Sequence, residues 1–225
     1  MHNFLKIIVT ILIFLLPNSI FSQEIRERDR KELVQLSDDY LQAIISSDGE
    51  NLLPLISSST LDFYESLQNT VLHFDKESLL KKELHIILLA TLTKSIFTED
   101  QIRGLTPEEF YVKSFSGQAS NLSSETDLKI EDFIPNGNVR IIIQYMETKS
   151  ESPVLMPFIK EDYEWKADVP DFWRIYLGTL IYPIYEKLID QGHSKEKAIE
   201  MIVESQLGIN ENDPLKPLQY WDTTM

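Results

Sequence analysis

Four histidines, nine tyrosines, three tryptophans and no cysteine are, with the carboxylates, the residues of this chain best suited to chemistry. Their spacing is sparse. His73 and His85 fall on separate expected helices, without the i, i+4 spacing of a metal-binding pair, and both read as helix-surface residues. His193 follows Gly192 and reads as part of a helix-ending turn. The chain has no glycine-rich phosphate loop, G-x-S-x-G, H-E-x-x-H or alternating-acid calcium loop. No metal ligands, cofactor or catalytic residue are therefore assigned. The nearest approach to a proton-transfer group is Glu147, which shares the apolar face of an expected strand with Tyr145, where desolvation would raise a carboxyl pKa. The competing reading puts Tyr145 in the core with its hydroxyl at the rim and Glu147 at the solvated strand end.

Two groups of largely apolar side chains are spaced for binding. Ile143, Tyr145, Glu147, Met156, Phe158 and Trp165 fall on one face of consecutive expected strands and read as the lining of a cavity or groove. Phe172, Trp173, Tyr176, Tyr182 and Tyr185 form an aromatic stripe at helical spacing. Such a stripe either docks a helix on its own domain or offers a groove to a sugar or peptide. The same choice applies to Tyr220 and Trp221.

The elements that would position these residues form an α+β domain. Leu33, Leu36, Tyr40, Leu41, Ile44 and Ile45 make one helical stripe, stopped by Asp48-Gly49. Ser57 to Thr60 supply hydroxyls to cap a second helix carrying Leu61, Tyr64, Leu67, Val71 and Leu72. Asp75 is expected to cap a continuous helix from Lys76 to about Phe97, apolar all round between Ile86 and Leu89. Thr106-Pro107-Glu108-Glu109 opens another helix with a capping box and a proline at the first position. Residues 118–126 are polar and read as a loop. The period then becomes two, over a hairpin with a Pro135-Asn136-Gly137 turn, a strand with Val154, Met156 and Phe158, and an alternating Glu164 to Val169 segment with Trp165, Ala167 and Val169 inward. This is a curved antiparallel meander of about four strands packed against the helices before it. Pro170-Asp171 restarts helix to a kink at Pro183 and a stop at Gly192, and Ser194 caps a last helix.

The hairpin Phe158-Ile159-Lys160-Glu161-Asp162-Tyr163-Glu164-Trp165-Lys166 pairs an apolar strand and an acidic turn with a Trp-Lys returning strand. Together with the helix, short segment and helix between Leu41 and Leu67, it resembles the nuclear transport factor 2-like superfamily over about residues 30–169. The resemblance implies helices packed into the concave face of a bent sheet around a cone-shaped cavity. It carries over no catalytic residue.

Residues 1–22 read as a secretory signal, with Lys6, the apolar run Ile7 to Leu16 and a cut expected after Ser22. The run is too short to span a bilayer, which needs ~20 residues. No stable membrane anchor is expected after cleavage, and the mature chain is placed in a bacterial periplasm or outside the cell. Residues 23–208 read as a single domain, of which 171–208 is a helical extension, and 209–225 as an irregular tail. The chain has 36 acidic against 21 basic residues and a net charge of -15, which argues against a nucleic-acid partner. With 43% hydrophobic content it has the composition of a folded domain. The expected function is a noncatalytic binding domain for a small apolar ligand or a protein partner. The alternatives are a small isomerase-type or hydrolase-type enzyme using Glu147 or a histidine, and a surface-assembly protein acting through its C-terminal helices.

Overall fold

A computed structural model describes residues 25–46, 48–119, 128–136, 139–147, 153–209 and 214–217. The expected signal segment, most of the 118–126 loop, Gly137 and Tyr220-Trp221 lie outside them. The first helix, α1 (Glu27–Ile45), buries Leu33, Ser37, Tyr40, Ala43 and Ile44 along the stripe the sequence sets out. Asp48 does more than end it. Its carboxylate accepts from the Asn51 amide and so starts a one-turn helix, α2 (Gly49–Leu52). Glycine is needed here because a Cβ on Gly49 would stand 2.8 Å from Cγ1 of Val112.

In α3 (Ser58–His73), Ser57 sits at the N-cap, but its hydroxyl does not cap the helix as expected. It bonds instead to the hydroxyls of Ser59 and Thr60. Asp75 does cap, accepting from the Ser78 amide at 2.8 Å. The helix it starts is short: α4 (Lys76–Leu80) stops at Lys81, and α5 (Leu84–Ile96) begins only after Glu83. The continuous Lys76 to Phe97 helix is therefore corrected to two. The amides of Lys81 and Lys82 close tight turns on the carbonyls of Ser78 and Leu79. The change of direction lets Leu79 and the Ile87 to Ala90 segment both bury fully or nearly so. Next, α6 (Glu99–Arg103) opens with a Thr98/Gln101 capping box, and α7 (Pro107–Ala119) with the reciprocal Thr106/Glu109 pair.

Four strands follow in the order β1-β2-β3-β4, all antiparallel: β1 (Leu128–Pro135), β2 (Arg140–Glu147), β3 (Pro153–Glu161) and β4 (Glu164–Ala167). A bulge between Ile130 and Asp132 shifts the β1 register. The β3–β4 turn holds Asp162 and Tyr163 at φ 47° and 71°, the left-handed pair of a tight hairpin. The register pairs Ile143 with Met156, Ile141 with Phe158 and Lys160 with Trp165, so these side chains share one face.

The chain then turns into α8 (Val169–Leu180), bends at the buried Ile181, continues as α9 (Tyr182–Asp190), and ends in α10 (Lys195–Leu207). Gly192 at φ 88° and Gly208 at φ 68° let the chain turn after the last two helices. Ser194 caps α10 by accepting from the Lys197 amide. Val169, Trp173, Leu177, Ile199, Ile202 and Val203 join the same core as the N-terminal helices and the sheet. The segment read as an extension is thus built into the domain.

Candidate functional site

The residues expected to line a cavity are brought together, and α1 lies over them. Ile143, Tyr145, Met156, Phe158 and Trp165 are all buried in the common core. Of Glu147 only the backbone, at the end of β2, is described. Contacts from α1 reach every strand. The Arg30 guanidinium lies 5.0 Å from the ring centre of Phe133 on β1. Ser37 and Tyr145 of β2 share a buried hydroxyl–hydroxyl hydrogen bond. Asp29 accepts from Lys160 of β3 and, at 3.1 Å, from the Trp165 indole N–H of β4. The Lys160 ammonium also stands 5.1 Å from the Trp165 ring centre. Asp29 is consequently held below the usual carboxylate range, chiefly by its bond to Lys160.

Buried tyrosines continue this interior. The hydroxyls of Tyr40 and Tyr111 lie 3.3 Å apart, and the Trp173 indole N–H donates to the Tyr64 hydroxyl at 3.3 Å. Burial raises all of these phenols above their ordinary value, with Tyr145 pushed up to about 12, so each stays protonated at neutral pH. They act here as polar core groups satisfied in pairs. The sequence marks them only as apolar positions, since helical and strand periodicity cannot show which hydroxyls will meet.

His73 is exposed at the end of α3, and His85 is half-buried at the start of α5, with Nδ1 3.4 Å from a Glu83 carboxylate oxygen. Burial lowers the His85 pKa, which leaves the ring neutral at pH 7. His193 donates its amide to the Leu188 carbonyl in the turn after α9, the structural role expected of it. Among the described residues no group of three or more histidines, aspartates or glutamates is arranged to hold a metal ion. An open cleft of about 310 Å³ lies beside α3, lined by Asp62, Glu65, Asn69, Phe74 and Lys82 among others. Lys82 covers it in part, its ammonium 4.8 Å from the Phe74 ring centre.

The aromatic stripe behaves differently from the inner sheet face. Trp173 is buried, while Phe172 stacks on Tyr176 with ring centres 5.7 Å apart and Tyr182 lies 6.1 Å from Tyr185. Tyr176, Leu180 and Tyr182 remain 43%, 50% and 48% exposed, and Ile189 is exposed as well. No residue of α9 is buried, although Tyr182, Ile184, Tyr185, Leu188 and Ile189 give it a substantial apolar content. One edge of the stripe therefore docks α8 on the core, the first of the two roles weighed from the sequence, and the other edge faces solvent.

One group missed from the sequence stands at the joint into α8. Asp168 was expected to point outward with Glu164 and Lys166, but it is only 3% exposed. Strand alternation ends there because Asp168 is the residue preceding α8, and its amide donates to the Pro157 carbonyl. Arg140 Nη2 approaches its carboxylate at 3.6 Å, while Nη1 of the same guanidinium binds Asp171 at 3.0 Å. Arg174 holds Asp171 from the other side at 2.9 Å. Burial, with Asp171 as second cause, raises the Asp168 pKa above the ordinary aspartate value.

No helix among the described residues is long and apolar enough to cross a membrane. Comparison with protein-family models, curated proteins and solved structures finds no match to this chain.

Proposed function

We propose that this protein is an exported, noncatalytic binding domain that holds a protein partner on the outward face of α8 and α9. The observation that carries this is the exposed set Tyr176, Leu180, Tyr182 and Ile189, on a helix pair where α9 packs only Ile184, Tyr185 and Leu188, each partly, against the core. Contiguous exposed apolar surface marks interaction sites, and tyrosine is enriched in them because it supplies contact area with few rotatable bonds. Glu186 and Asp190 lie on α9 beside Lys187, and Asp171 of α8 is already paired with Arg174, so the acidic bias comes chiefly from a chain whose net charge is -15. Charge complementarity therefore favours a partner segment with apolar side chains framed by Lys or Arg. In this reading Ile143, Tyr145, Met156, Phe158 and Trp165 are scaffold beneath α1. The order of elements, helices laid over one face of an antiparallel meander, supports the nuclear transport factor 2-like resemblance as the architecture that carries the face. The N-terminal signal pattern supports export.

A photo-crosslinking residue in place of Tyr182 tests the proposal in the exported fraction, with Tyr163 on the β3–β4 turn as control. Tyr163 is also exposed, at 92%, and lies on a different element. The reading expects one discrete protein adduct from position 182, basic in composition, weakened by added salt and lost in Leu180→Glu. Equal adducts from both positions, or an adduct indifferent to Leu180→Glu, would overturn it.

A further inference from the structure

Four elements converge where the sheet hands the chain to the C-terminal helices. Asp168 lies at the centre, almost wholly shielded from water. From β2, Arg140 reaches it at 3.6 Å, but the guanidinium is 41% exposed and its shorter bond, 3.0 Å, goes to Asp171. From α8, Asp171 adds a like charge and Arg174 neutralises that residue in turn. From the end of β3, Glu161 contributes a second like charge, and it is fixed by the amide and hydroxyl of Ser58 at 3.0 and 3.2 Å. Arg174 is also within electrostatic reach of Glu83, which precedes α5, and of His85 in its first turn. Two carboxylates, Asp168 and Asp171, thus share two guanidiniums beside the Glu161 charge, and the more deeply buried of the two has the longest bridge. A charge so placed is costly to bury, and the helix that follows it is the one that carries the outward aromatic face.

We propose that this joint is a proton-operated latch, in which protonation of Asp168 seats α8 more firmly on the sheet and ionisation loosens it. The sign follows from burial and the like charges of Asp171 and Glu161, which outweigh the Arg140 charge and the Asp171 backbone amide that favour the ionised form. The folded form holds the proton more tightly than the unfolded chain does, so the stabilisation is complete below the ordinary aspartate value of 3.8 and is lost as pH rises through the raised one. Acidification therefore steadies the start of α8, and neutral pH frees it to adjust to a partner. That consequence for binding rests on the function proposed for α8 and α9. The latch itself is measured on the free protein, so the two ideas fail separately.

The experiment is hydrogen exchange on the whole protein, following amides in the first two turns of α8 at about pH 7.5 and about pH 4, as protection factors corrected for intrinsic exchange. Each unit by which the folded-state pKa exceeds the unfolded one is a tenfold change in the opening equilibrium once both forms are protonated, so protection should rise on acidification and approach tenfold for each such unit as pH nears 3.8. Asp168→Asn should show high protection at both pH values. Arg140→Gln, which removes the cation that opposes the shift, should move the rise to higher pH. Equal protection of the native protein at both pH values would overturn the latch. So would an unchanged rise in Asp168→Asn, or an unmoved midpoint in Arg140→Gln.

Discussion

Replacing Tyr145 by Phe removes one oxygen from the interface between α1 and β2 and leaves the ring in place. The Ser37 and Tyr145 hydroxyls are each buried and bonded to one another. A buried polar group stripped of its partner costs about 1–3 kcal/mol, whereas deleting both partners together can be nearly neutral. The two single changes should not be equal. In Tyr145→Phe, the Ser37 hydroxyl sits in a helix and can turn back to the carbonyl four residues earlier, which places the loss near 1 kcal/mol. In Ser37→Ala, the phenol of Tyr145 has no backbone carbonyl of its own helical turn to turn to, and the loss should approach 2–3 kcal/mol. The double variant should then lose clearly less than the sum of the singles, with a coupling of about 1 kcal/mol or more. Urea unfolding of the four proteins measures this, provided the slopes agree so that stability alone has changed. Single variants that are both neutral, or losses that add without coupling, would refute the placement of α1 over the inner sheet face.

Four further outcomes follow from the structure. Gly178 has open space where a Cβ would stand, so Gly178→Ala should stabilise α8 by about 0.5–1 kcal/mol; Gly49→Ala meets Val112 at 2.8 Å and should cost about 1–3 kcal/mol, both read by thermal unfolding. The Asp29 carboxylate, held low by Lys160, stabilises the fold above the ordinary aspartate value and ceases to do so as pH falls through its depressed one. Asp29→Asn should therefore lose about 1–3 kcal/mol at pH 7 and match the native protein in strong acid, as urea titrations at several pH values would show. Deleting residues 171–225 removes Trp173, Leu177, Ile181, Ile199, Ile202 and Val203 from the core. At about 1.5–3 kcal/mol for each buried side chain, this equals or exceeds the ~5–15 kcal/mol of a whole domain, so the remainder should aggregate, as light scattering would report.

Element type was legible wherever periodicity was strong. The α1 stripe, the alternation of β2 to β4 and the caps at Asp75, Thr106 and Ser194 all stand where the sequence puts them. Two kinds of feature were not legible. The break at Lys81 to Glu83 has no glycine or proline to announce it, because tertiary burial of Leu79 and Ile87 sets the bend and an apolar stripe runs through it unbroken. Asp168 looked outward because strand alternation was extended one residue too far, past the point where the chain enters α8. The candidate site divided along the same line. Alternation correctly placed Ile143, Tyr145, Met156, Phe158 and Trp165 on one apolar face, but a pattern states only that a face is buried. It does not say that α1 would be the element to cover it. Within the stripe from Phe172 to Tyr185, helical spacing does not say which rings turn inward: Trp173 is buried, Phe172 and Tyr185 pack partly against the core, and Tyr176 and Tyr182 face solvent.

Native mass spectrometry of the protein purified from the cells that make it, compared with its denatured mass, tests most directly whether binding belongs to the outward face or to the sheet interior. With α1 laid over the inner face, the free chain should carry no small molecule, and any native adduct should be protein-sized and absent from Leu180→Glu. A small-molecule mass released on denaturation, retained in Leu180→Glu and lost in Tyr145→Phe, would contradict the account and return the binding site to the sheet interior.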